Sequence, residues 1–287
     1  MMFKQLGLIG CGLMGGSFSL ALQRAGGVAH VVGFSPSAQS TERARQMGVI
    51  HACASSPEAA ACGSDLVLLA VPVAATQANL AAIRPHISSN TLVMDVGSTK
   101  GHVMAAARAA LGDKMDAFVA AHPIAGKELA GVAHADADLY RGKQVVLTPD
   151  PTTPLHKVQQ ARAVWQALGA RVVEMSAQAH DVAYAAVSHL PHMLAFALMN
   201  ALHAQSQAAD FLALAGPGFR DFTRIAASDA TIWRDIMLTN REALLAQSQQ
   251  FQAALQAFDA LLTQGDGQAL ESLIAQASRS RAQWHMS

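Results

Sequence analysis

The chain has 287 residues, 20 Lys+Arg against 20 Asp+Glu, zero formal charge and only 14% charged residues, where soluble domains average about 25%. Such a chain lacks the cation excess that neutralising many phosphates requires, so general binding to nucleic acid or to an anionic membrane is not expected. The longest apolar run, residues 66–75, is broken by Pro72 and falls short of the roughly 20 residues of a membrane helix. The opening Met1-Met2-Phe3-Lys4 leads straight into a strand pattern, so neither a leader nor a membrane span is expected and the reading is cytoplasmic.

From the N-terminus, apolar runs at residues 5–10, 30–34, 65–71, 91–96, 118–121 and 144–148 alternate with amphipathic stretches such as 15–25 and 40–47. Near-continuous Val, Leu, Ile and Ala mark strands buried on both faces, so the alternation predicts a mostly parallel sheet covered by helices. A helix at 155–168 and a strand at 171–174 close this α/β region, residues 1–175. From Ser176 the chain turns rich in Ala, Leu, Gln and Met, with apolar residues three and four apart. Ala183, Val187, Leu194 and Leu198 predict a long helix bent at Pro191. Leu238, Leu245, Phe251, Leu255, Phe258 and Leu262 predict another, and Gly265-Asp266-Gly267 punctuates before a last helix over 268–283. Residues 176–287 therefore read as an all-α domain that packs on the first or on a second copy of itself. Cys11, Cys53 and Cys62 are too few and scattered for a disulfide framework.

Gly10-Cys11-Gly12-Leu13-Met14-Gly15 follows the first strand and opens the first helix. In a dinucleotide-binding (Rossmann-like) domain the first glycine permits the tight turn, the second lets backbone approach a pyrophosphate, and the third allows close helix–strand packing. The acid that holds the ribose in an NAD site is expected about twenty residues on. Here Gly33-Phe34-Ser35-Pro36-Ser37 offers none. Ser35 and Ser37 tolerate a 2′-phosphate, with Arg43 or Arg45 within approach, although both arginines read equally as solvated helix residues. The sequence leans towards NADP or dual use of NAD(P)+.

Four further stretches carry candidate chemistry. Asp95-Val96-Gly97-Ser98-Thr99-Lys100-Gly101 places Ser98 and Lys100 at the carboxyl end of a strand, where open sheets bind ligands; Ser98 or Thr99 also suits a helix cap. His122-Pro123-Ile124-Ala125-Gly126 holds an imidazole on a rigid turn, able to accept a proton near neutral pH. In Ser188-His189-Leu190-Pro191-His192 the His-x-x-His spacing admits metal, but no Cys, Asp or Glu completes a ligand set and a kinked helix is the simpler reading. Arg220 and Arg224 lie four apart, with Asp221 able to pair with Arg224, and paired arginine is the preferred carboxylate clamp.

Together, Gly10-x-Gly12-Leu13-Met14-Gly15-Gly16-Ser17, Gly97-Ser98-x-Lys100-Gly101, His122 to Gly126, Ser188 to His192 and Phe222-Thr223-Arg224-Ile225-Ala226 resemble the prephenate and arogenate dehydrogenases of tyrosine biosynthesis over nearly the whole chain. The resemblance implies an enzyme that oxidatively decarboxylates prephenate to 4-hydroxyphenylpyruvate with hydride transfer to NAD(P)+, needing no metal. It implies that His122 takes the ring-hydroxyl proton, that Ser98 orients that hydroxyl, and that Arg224 binds the ring carboxylate. His192 and Ser188 would lie near the substrate side chain. Trp233 would enter from the partner subunit of a homodimer formed through the helical domain. Arg220 and Asp221 would bridge helices at the cleft. Gly10, Cys11, Gly12, Leu13, Met14, Gly15, Ser35 and Val71 would line the cofactor site. Arogenate or dual-substrate activity is the alternative. More distant readings are a 3-hydroxyacid dehydrogenase or imine reductase of the same two-domain plan, and a non-catalytic NADP-sensing regulator. Of the 12 histidines, those outside these motifs, such as His51, His86, His156 and His285, read as surface or packing residues.

Overall fold

The apolar runs of the first half form one sheet in the computed structural model, which describes residues 1–127 and 129–284; His285 lies outside the described residues. In chain order the elements are β1 (Phe3–Ile9), α1 (Leu13–Arg24), β2 (Val28–Phe34), α2 (Ala38–Gln46), β3 (Ala52–Cys53), α3 (Pro57–Ala61), β4 (Leu66–Leu69), α4 (Thr76–Ile83), β5 (Leu92–Asp95), α5 (Lys100–Leu111), β6 (Phe118–Pro123), β7 (Gln144–Thr148), α6 (Leu155–Ala167) and β8 (Arg171–Glu174). The strand order is β3-β2-β1-β4-β5-β6-β7-β8, parallel except for β6 against β7. That pair is joined without a crossover helix, only a short 3-10 turn at Val132–His134, so the chain can return alongside itself. The short β3, with no run of its own in the sequence pattern, extends the edge beside β2.

Every residue of β4 and β5 is buried, as expected of strands covered on both faces. Side chains alternate between two apolar clusters. Leu8, Leu66 and Leu68 join Phe18, Tyr140 and Trp165 on one face, while Ile9, Val67 and Leu69 join Leu80, Met104 and Phe118 on the other.

The helical half continues with α7 (Ala177–Tyr184), a π turn over Ala185–His189, α8 (Leu190–His203), α9 (Ala208–Ala213), α10 (Pro217–Thr223), a 3-10 turn over Arg224–Ala227, α11 (Ala230–Thr239), α12 (Arg241–Gln264) and α13 (Gly267–Gln283). The bend expected at Pro191 is a π turn just before it. Proline has no N–H to give and its ring crowds the carbonyl four residues back, at Val187, so the preceding turn widens. The run Ala177–His203 is long and apolar enough by composition to cross a membrane. Its buried His180, Asp181 and His189 are hydrogen-bonded to other elements of the fold.

By packing, residues 1–241 form one unit and 242–287 another. In the second, Asp266 caps α13 by accepting from the Ala269 N–H at 2.9 Å. Val187, Leu198, Leu238, Leu245, Leu255 and Leu262, marked by the helical periodicity as packing positions, are exposed in the single chain.

The sheet contains one buried ion pair. Lys100 Nζ lies 2.6 Å from Asp95 Oδ2, with both side chains at or near zero exposure, and it also donates to the Ala121 carbonyl at 2.7 Å. Removing one partner of such a pair strands a buried charge, at a cost of about 3–5 kcal/mol. Lys100→Met should lower the urea-unfolding free energy by about that amount, and Asp95→Leu combined with Lys100→Met should recover part of it. Unchanged stability in the single variant would contradict the assigned pairing.

Candidate active site

The glycine turn has the geometry that each of its glycines was expected to supply. Gly10 sits at φ +96, and a Cβ there would meet the Ala70 carbonyl at 2.2 Å. A Cβ at Gly15 would meet the Gly10 carbonyl at 2.1 Å, so α1 can approach β1 only without a side chain there. Gly12, by contrast, has open space around its Cβ position, and it is the N-cap of α1 with no side chain covering the helix end. Free N–H groups and the positive end of the helix dipole thus face an open approach, which fits a pyrophosphate. A cavity of about 350 Å³ runs from this turn, lined by Gly12, Leu13, Met14, Val71, Ser98 and Gly126, and reaches Ile232 and Asp235 on α11.

Cys11 departs from its expected part. Its side chain is buried, with the thiol pushed up to about 11 by burial, and its N–H already donates to Ser35 Oγ at 2.8 Å. It therefore braces the turn and offers a ligand neither thiol nor N–H. Ser35 is correspondingly a brace, whose own N–H donates to Thr41 Oγ1 at 3.0 Å. Ser37 caps α2. Arg45 is held by Glu42 at 2.7 Å, and Arg43 is exposed on the same helix.

At the carboxyl end of β5, Ser98 lines the cavity whereas Lys100 turns inward to Asp95 and is structural. Burial pushes the Lys100 ammonium below its usual value, against the pull of Asp95. Neither Ser98 nor Thr99 caps α5 through its side chain. The cap comes from Asp181, eighty residues on, whose carboxylate accepts the Lys100 and Gly101 N–H groups at 2.7 Å each.

His122 stands half-buried on β6. Its Nδ1 lies 2.8 Å from His180 Nε2, and His180 Nδ1 lies 2.8 Å from Asp181 Oδ1. Tyr184 packs against both rings, 5.0 Å from His122 and 4.4 Å from His180 between centroids. Burial, reinforced by His180, Lys100 and His189, holds the His122 imidazole well below its ordinary value. The ring is neutral near pH 7, with a lone pair to offer. Burial also lowers His180, against the opposing hydrogen bond from Asp181. Burial raises Asp181, but hydrogen bonds from His180, Lys100 and Gly101 outweigh it and keep the carboxyl low and ionised.

In the helical half, His189 is buried, accepts from Asn240 Nδ2 at 3.1 Å, and is lowered to about 4 chiefly by burial. The same Asn240 amide donates to the Asp181 carbonyl at 2.8 Å. His192 donates from Nδ1 to the Ser188 carbonyl at 2.9 Å and stacks on Trp233 with centroids 3.5 Å apart. Trp233 therefore reaches His192 within its own chain. Burial lowers His192 against its hydrogen bond to the Ser188 carbonyl, and the Arg224 charge lowers it further. Arg224 opens the 3-10 turn after α10 ends at Thr223. Arg220 and Asp221 are exposed and lie 3.6 Å from each other.

His180, Asp181, Tyr184 and Asn240 went unmarked in the sequence. The available signal was a His-Asp pair on an otherwise apolar helix, four residues after the cap at Ser176.

With this geometry in view, comparison with known proteins gives one answer. The family model for the nucleotide-binding domain of prephenate dehydrogenase matches residues 18–174, and that for the prephenate dehydrogenase dimerization domain matches residues 176–276. The cyclohexadienyl dehydrogenase of Zymomonas mobilis is 32% identical over 281 residues, covering 97% of this chain and 95% of its own. The crystal structure of Aquifex aeolicus prephenate dehydrogenase in complex with hydroxyphenyl propionate and NAD+ superposes with a TM-score of 0.93 at 33% identity, over 98% of both chains. Synechocystis arogenate dehydrogenase superposes with a TM-score of 0.83 at 25% identity, over 98% of this chain and 100% of its own. A parallel sheet with an open glycine turn, a neutral imidazole at the end of β6, and matches across both halves of the sequence lead to one assignment: the chain belongs to the prephenate dehydrogenase family and is a dehydrogenase.

Proposed function

We propose that this chain converts prephenate to 4-hydroxyphenylpyruvate, with loss of carbon dioxide and transfer of hydride to NAD(P)+. The observation that carries the reading is the neutral, half-buried His122, whose Nδ1 is engaged by His180 and whose Nε2 is left to take a proton. A nicotinamide dinucleotide held by its pyrophosphate at the glycine turn would supply the hydride acceptor. His122 Nε2 accepts the proton of the ring hydroxyl as hydride departs from the same carbon. Ser98, in the cavity that begins at the glycine turn, orients that hydroxyl. Arg224, whose charge is felt at His192, binds the ring carboxylate and holds the reacting carbon in line. His192, Ser188 and Trp233 form the wall for the substrate side chain. Aromatisation of the ring drives the carbon–carbon cleavage, so the protein has only to position the substrate and accept a proton. In this reading residues 1–175 serve the cofactor and residues 176–287 the substrate and a partner subunit.

His122→Asn should lower kcat by roughly 10²–10⁴ with little change in KM, and Arg224→Ala should chiefly raise KM for prephenate. Because the His122 imidazole is held low, kcat/KM should stay high as pH falls past about 6.5. It should drop only on protonation of that base at lower pH. An unchanged kcat for His122→Asn would remove His122 as the base. Turnover of arogenate alone in steady-state assays would replace prephenate as the substrate and leave the mechanism standing.

For the cofactor we propose NADP+ or dual use, on the ground that Ser35 stands where an acid would select NAD+ and spends its hydroxyl on the glycine turn. Ser35→Asp keeps an acceptor for the Cys11 N–H and adds a charge that repels a 2′-phosphate. It should shift the ratio of kcat/KM values towards NAD+ by about tenfold or more, the equivalent of ~1.4 kcal/mol. A wild-type enzyme that ignores NADP+ would refute the assignment.

The helical region is proposed to form a homodimer. The matching family model bears the description "dimerization domain", and Leu245, Leu255 and Leu262 are exposed along α12, a pattern that favours apolar association. Light scattering should give a mass near twice the 30.0 kDa chain; a monomer at micromolar concentration would contradict it.

A further inference from the structure

Behind His122 runs a chain of hydrogen bonds whose direction is set from its far end. An ionised carboxylate can only accept. Asp181 already accepts the Lys100 and Gly101 N–H groups, so the 2.8 Å contact with His180 Nδ1 must be donated by the histidine. A neutral His180 with its proton on Nδ1 has a bare Nε2, and the 2.8 Å contact with His122 Nδ1 must then be donated by His122. This leaves His122 with its lone pair on Nε2. We infer that Asp181 and His180 are positioning residues that lock His122 into the Nε2-basic tautomer.

The arrangement extends by one imidazole the logic of a Ser-His-Asp triad, where the buried carboxylate fixes the tautomer of the base and does not itself take the proton. Here too no proton needs to travel the chain. The ring-hydroxyl proton goes to His122 Nε2, hydride goes to the cofactor, and the Nδ1–H of His122 stays donated to His180 Nε2, whose lone pair Asp181 keeps there. The other charged or titratable groups facing His122 are Lys100 and His189, both disfavouring the imidazolium, with Tyr184 packed against its ring. Asp95 lies behind Lys100 and offsets its charge. Without the Asp181–His180 chain His122 could carry its proton on either ring nitrogen. The inference rests on the reading of His122 as the base.

The test uses the full-length enzyme with His180→Leu, which removes the acceptor, and His180→Gln, whose Oε1 can still accept from His122 Nδ1. Histidine ¹⁵N shifts of the free protein report the tautomer without any substrate. Wild type and His180→Gln should show His122 protonated on Nδ1, and His180→Leu should show a mixture. In turnover, His180→Leu should lose roughly 10²-fold in kcat at nearly unchanged KM, with His180→Gln recovering most of it. His180→Leu added to His122→Asn should cost nothing more in kcat. Unchanged His122 shifts in His180→Leu, equal losses in the Leu and Gln variants, or additive losses in the double variant would each overturn the inference. Should His180→Leu fail to fold, a mixed tautomer in the wild type, or in His180→Gln, would overturn it as well. If the wild type turned over neither prephenate nor arogenate, the proposed function would fail while the shifts still decided the tautomer.

Discussion

One carboxylate joins the two textures of this sequence. Asp181 sits in the first turns of the helical half, yet its oxygens cap α5 in the sheet half at Lys100 and Gly101. Burying a charge is costly unless it is hydrogen-bonded. Two backbone N–H groups, the positive end of the α5 dipole and the His180 ring together meet that cost. The cap is also tight: a Cβ at Gly101 would lie 2.8 Å from Asp181 Oδ2, so glycine is needed for the carboxylate to seat. Because the end of α5 follows directly on Ser98, the bond that holds α7 to the sheet also fixes the distance between the serine-bearing loop and the helix that carries His180.

A second buried charge, Asp95, works on the other side of the same loop. It accepts the Gly97 N–H at 2.7 Å and the Ala121 N–H at 3.0 Å while pairing with Lys100. Lys100 in turn donates to the Ala121 carbonyl. Both backbone groups of the residue before His122 are therefore pinned by the loop that holds Ser98. The two groups proposed to meet the substrate hydroxyl are thus set by one network, independent of the exposed loop that follows Gly126.

The sheet was legible in the sequence because strands buried on both faces leave uninterrupted Val, Leu and Ile runs, and the glycine turn because its steric demands admit almost nothing else. The short β3 left no run to find. The roles of His122, Ser98 and Arg224 were reached through motif resemblance; local spacing alone also allowed Ser98 to be a helix cap. Lys100 was misplaced because a lysine at the end of a strand looks the same in one dimension whether it faces a ligand or an aspartate beneath. His180 and Asp181 were invisible for the complementary reason. Their partners lie 58 and 81 residues away in the chain, and only the fold brings a helix cap from that distance.

The π turn before Pro191 ties local chemistry to the geometry of the site. In a regular α-helix, at about 100° per residue, His180 and His192 would be separated by roughly 120° around the axis. A π turn amounts to one extra residue in the helix, which takes back about 100° and leaves the two rings within roughly 20° of one face. The same arithmetic brings Tyr184 and His192 into line. His180 reaches His122 on β6, His192 reaches Trp233 on α11, and His189, inside the turn, is held by Asn240 between them. A proline that removes one hydrogen bond from an apolar helix therefore does more than bend it: the widened turn it imposes lets a single helix present the support for the base and the wall for the substrate side chain to the same cleft.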